Sequence, residues 1–141
     1  MPGVRKEKML TKTELRKIAD ARIKDAEILF EAKRYDGALY LCGYAMELYL
    51  KYRICKTLAW DEFPSSSKEF NKLGLSSFRT HDLDILLKLS GVEKKIKSKY
   101  LAEWSAAAKW NPEARYQPTG SVKKEDAKMM IESTKTLRKV L

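Results

Sequence analysis

Histidine occurs once in this 141-residue chain, cysteine twice, proline four times and glycine six times. Each scarcity removes a class of explanation. A single histidine and no close cysteine pair supply no ligand set for zinc, which takes three or four such side chains. Cys42 and Cys55 stand in a stretch that reads as one helix. A rise of about 1.5 Å per residue sets them about 20 Å apart, beyond the reach of a disulfide. No apolar run approaches the roughly 20 residues that cross a bilayer. The opening MPGVRKEKML is charged, with no apolar block behind it, which argues against a secretory signal. Neither a Gly-rich phosphate loop nor a paired-carboxylate motif stands out. The expectation is a soluble, cytoplasmic protein with no metal and no cofactor.

What is abundant is positive charge. Lysine and arginine number 29 against 19 acidic residues, a net charge of +10. The surplus is not a tail: every stretch of the chain is net positive except residues 61–90, where five acids meet four bases. Such a field attracts phosphates through sequence-independent, salt-sensitive contacts, or an acidic protein, and it equally serves solubility. The length suits one core. Residues 1–10 read as a flexible basic N-terminus and 11–141 as a single domain.

Helical periodicity dominates. Residues 12–33 follow Thr11, whose spacing to Glu14 is that of a capping box, and place Leu15, Ile18, Ala19, Ala26, Leu29 and Phe30 on one face. Arg22 falls on that face as a lone charge. Residues 35–60 are apolar almost all round, which marks a central helix. A mixed stripe of Asp36, Tyr40, Gly43, Tyr44, Glu47, Lys51 and Ile54 interrupts it. The short link KRYDG predicts an antiparallel hairpin in which residues whose numbers sum to about 69 lie level. Arg22 then faces Glu47, and since a buried charge needs a partner, the two are expected to form a structural ion pair. The same register brings Ala26 to Gly43. Residues 61–80 read as the longest loop. Thr80 is a candidate cap for a short helix at 81–90, and a helix over 92–110 carries a basic face with Lys94 and Lys95. Ser121 is a candidate cap for a last helix, whose inward residues include Ala127, Met130, Ile131, Thr134 and Leu137. No strand-like alternation appears. The fold class is all-α: an antiparallel up-and-down bundle of four to five helices.

The run RYDGALYLCGYAMELYLKYRIC, then HDLDILL, then WNPEARY before a last amphipathic helix resembles HEPN-domain proteins. The resemblance spans Leu15 to about Leu137. It implies a helical bundle, frequently a homodimer, that handles RNA or nucleotides or partners a nucleotidyltransferase in toxin–antitoxin and defence systems. Many such proteins are metal-independent ribonucleases with an arginine, four to six residues, and a histidine before the last helix. Arg115 fits the arginine position, but the histidine would fall at 120–122, which are Gly120, Ser121 and Val122. The sole histidine, His81, has Gly74, Leu75 and Ser76 upstream, so it does not complete the motif either.

Three readings follow. The first is a non-catalytic binding or regulatory module for RNA, a nucleotide or a partner protein, with no catalytic residue assigned. Its phosphate-binding candidates are Arg115, Tyr116, Lys94, Lys95, Lys123 and Lys124. The second is a ribonuclease toxin with a rearranged site using Arg115, His81 and Tyr116 from facing subunits. The third is a structural dimer or adaptor. Each candidate also has a plain structural role: Arg115 would tie its loop to Asp36 or Glu47, Trp110 and Tyr116 would pack beneath it, and His81 would sit at a helix start.

Overall fold

The computed structural model describes residues 10–64, 68, 71, 74, 78, 80–111, 113 and 117–141. Thr11 is extended, and its hydroxyl accepts the Glu14 N–H at 3.1 Å, which starts helix α1 (Lys12–Glu31) as the spacing predicts. The chain turns at Lys33, which takes a left-handed φ of 63°, and the Arg34 N–H closes back on the Leu29 carbonyl at 2.8 Å. Helix α2 (Tyr35–Leu58) then runs antiparallel to α1, and Ala59, again left-handed, ends it. A two-residue ladder follows, which the sequence does not announce. Strand β1 (Leu10–Thr11) pairs antiparallel with β2 (Glu62–Phe63), Leu10 opposite Phe63. Two residues are too few for alternation to register as a pattern. Leu10, expected in the flexible N-terminus, is thus a strand residue; residues 1–9 lie outside the described set.

Among the described residues four shorter or later helices follow. They are α3 (Leu83–Leu89), α4 (Glu93–Lys99), α5 (Leu101–Ala108) and α6 (Lys124–Arg138). Three expectations need correction here. The α3 cap is Asp82, whose carboxylate accepts the Asp84 and Ile85 N–H groups, while Thr80 supports Asp82 itself at 3.0 Å. The helix expected over 92–110 breaks at Tyr100 (φ −131°, ψ 33°). No Gly or Pro marks the break; it redirects the chain so that Ile96 before it and Trp104 and Ala107 after it are all buried. The last helix starts from Lys123 rather than Ser121, with the Asp126 carboxylate accepting the Lys123 N–H at 3.3 Å. Residues 120–122 are held elsewhere, as described below, so the helix begins after them.

The bundle is built around α2, which packs against α1, α6 and α3, while α5 packs on α6. Its fully buried side chains, Tyr49, Met46, Leu50 and Ile54 among them, point to several neighbours, as a helix apolar all round must. All five inward residues expected of the last helix are buried. Cys42 and Cys55 are free and buried. No helix among the described residues is long and apolar enough to cross a membrane.

The hairpin has the expected register but not the expected rotation. Asp20 and Tyr49, whose numbers sum to 69, are hydrogen-bonded across it. Arg22 and Glu47 are equally level, yet Glu47 lies two residues from Tyr49, about 200° around α2, and so faces away from α1. Arg22 instead lies 3.4 Å from Asp25 on its own helix, with its side chain 42 % exposed. The predicted Arg22–Glu47 pair therefore does not form. The buried stripe of α1 is Leu15, Ala19, Ile23 and Ala26. Leaving out Ile23 and counting half-exposed Ile18 rotates the apparent face by enough to centre it on Arg22. Gly43, which the same register sets level with Ala26, has Trp110 where its own Cβ would stand.

Candidate functional site

The mixed stripe of α2 is where the connecting segments land, one after another along the helix. Asp36, in its first turn, accepts the backbone N–H of Gly120 at 2.6 Å and of Val122 at 3.0 Å. One turn on, Tyr40 and Tyr44 exchange a hydrogen bond between hydroxyls at 3.1 Å and meet Trp110 with ring centroids 6.1 and 5.5 Å away. The Trp110 indole lies over Gly43, and its Nε1–H donates to the Tyr40 carbonyl at 3.1 Å. A Cβ on Gly43 would sit 1.9 Å from that ring, so here the missing side chain is what admits the indole. Trp110 is buried against α2, while residues 114–116, which it was expected to underlie, lie outside the described residues.

Glu47 comes next and is 3 % exposed. Its Oε2 accepts from Lys51 Nζ at 3.0 Å, and its Oε1 lies 2.9 Å from His81 Nδ1. Lys51 in turn lies over the Phe63 ring, 5.4 Å from its centroid. The two ends of the excursion from Phe63 to His81 are thus fastened to one turn of α2. Lys51 neutralises the buried carboxylate, and the acceptor role of Glu47 places the His81 proton on Nδ1. The imidazole side chain is 65 % exposed, which leaves its other nitrogen, Nε2, open to solvent. His81 lines a pocket of about 380 Å³ together with the start of α3 (Asp82, Leu83, Asp84) and the end of α5 (Ala108 to Asn111). Glu47 as the partner of His81 escapes sequence reasoning: 34 residues separate them, and no local spacing connects them. The signal that existed was the need of Glu47 for a counter-charge.

The lysine candidates are all exposed, but the fold does not gather them. Lys94 and Lys95 precede α5 on α4, while Lys123 and Lys124 lie beyond its far end, where Lys109 and Trp110 line a second pocket with Ser121, Val122 and Asp126. Among the described residues Lys94, Lys95, Lys109, Lys123 and Lys124 have no ion-pair partner, whereas Lys97 pairs with Glu93 at 3.2 Å. Arg115 and Tyr116 lie outside the described residues.

A separate charged cluster binds α1 to the last helix. Arg138 forks onto Asp20 with N–O distances of 2.6 and 2.9 Å, Tyr49 also donates to Asp20, and Arg16 lies 5.9 Å from the Tyr49 ring centroid. The Arg138 hydrogen bonds hold the Asp20 carboxyl down at about 2, against the opposing effect of partial burial. Burial, and then the bond to Asp20, push the Tyr49 phenol well above its ordinary range. Burial also pushes the Cys42 thiol up to about 12 and the Cys55 thiol up to about 11. Both thiols are therefore protonated at neutral pH, and neither is a nucleophile.

The family model of the HEPN domain matches residues 13–64, which covers nearly all of α1, the whole of α2 and β2. The first of the three blocks that carry the resemblance lies inside this match. No curated protein and no solved structure matches the chain.

Proposed function

We propose, taking residues 13–64 as HEPN-domain sequence, that this protein is a non-catalytic module that binds RNA through its phosphate backbone. The observation that carries this reading is the set of exposed lysines without ion-pair partners among the described residues, in a chain of net charge +10. Uncompensated lysines release counterions from a nucleic-acid backbone, and that release supplies sequence-independent affinity. The non-catalytic part rests on residues 120–122. Where the ribonuclease motif would put its histidine stand Gly120, Ser121 and Val122, and two of their backbone N–H groups are held by Asp36. A homodimer in the cytoplasm, or a nucleotidyltransferase as partner, belongs to the same reading through the resemblance.

Because the lysines fall at two ends of α5, reversing them in pairs locates the surface. The double changes Lys94→Glu/Lys95→Glu and Lys123→Glu/Lys124→Glu are compared by fluorescence anisotropy with a labelled single-stranded RNA. The pair that carries binding should lower affinity by at least about tenfold at moderate salt. Unchanged affinity in the combined fourfold variant removes the lysines from the account.

One observation favours a second reading: His81, oriented by a buried carboxylate at the mouth of a pocket, has the geometry of a general base. A ribonuclease with a rearranged site would then inhibit growth on overexpression, and His81→Ala would relieve it. Growth unaffected by the unaltered protein sets this reading aside.

A further inference from the structure

We draw no further inference here: the strongest candidate, the apolar groove between α5 and α6 lined by Leu39, Ala106, Val122 and Met129, carries nothing because no feature of the structure shows what covers it.

Discussion

Glu47 and Asp20 are both acids on the first helical hairpin, and they do different work. Glu47 is sealed in the bundle with Lys51 and His81 on its two oxygens, so its removal strands Lys51 beside Phe63. Glu47→Ala should destabilise the fold by about 2 kcal/mol, the range of a lost charged hydrogen bond, whereas His81→Ala should cost under about 1 kcal/mol because its ring is largely in water. Urea unfolding of both variants checks the order; equal losses would mean that Glu47 has no special role. Asp20 titrates far from the neutral range. Its folded pKa is lowered from 3.8 to about 2, so the stability it lends is fully present above pH 4 and is lost as pH falls toward 2. The cluster is over a third exposed, and screening reduces its contribution to about 1 kcal/mol. Asp20→Asn should therefore lower stability by about that amount at pH 7, and the gap from the unaltered protein should narrow as pH falls from 4 through 2. A gap as wide at pH 2 as at pH 7 would contradict the assignment. At this scale the sequence shows which residues need partners and not which partners they take. Lys51 stands one turn from Glu47, a spacing the sequence does show, but His81 and Arg138 reach Glu47 and Asp20 from 34 and 118 positions away, and only the fold brings those positions together.

The elements were more legible. Thr11, the hairpin link and the inward face of the last helix follow from spacing and periodicity, because each is decided within a few turns of chain. The α2 stripe was visible as a mixed aromatic and charged line, and the structure gives it meaning: it receives residues 120–122, Trp110, His81 and Phe63 in turn. What spacing could not supply was decided by tertiary contact. The break at Tyr100 serves burial on both sides of it, and the start of the last helix is delayed because Asp36 holds the preceding turn. Arg22 was misplaced by an error in rotation rather than in register. Gly43 tests the element-scale account. Gly43→Ala keeps helical propensity, which alone would stabilise α2, but its Cβ would collide with the Trp110 indole. The substitution should destabilise the protein by about 1–3 kcal/mol, with a change in tryptophan emission. A stabilised variant would show that the indole does not depend on that gap.

For the whole molecule, an all-α bundle on a central helix and a HEPN match over residues 13–64 agree with one another; the bundle was legible because a helix apolar on every side demands neighbours, and the resemblance because RYDGALYLCGYAMELYLKYRIC, HDLDILL and WNPEARY stand in that order. The distribution of charge was legible too, and the chain order already sets α5 between the Lys94–Lys95 pair and the Lys123–Lys124 pair. Two separated basic surfaces suit a flexible single strand that spans them better than a compact anion. The most direct measurement is the affinity of the unaltered protein for a labelled single-stranded RNA across a series of salt concentrations. If four lysines engage phosphates, the logarithm of the association constant should fall against that of salt with a slope of about −3. A slope near zero, or no binding at the lowest salt, would contradict the account and leave the positive charge without a nucleic-acid role.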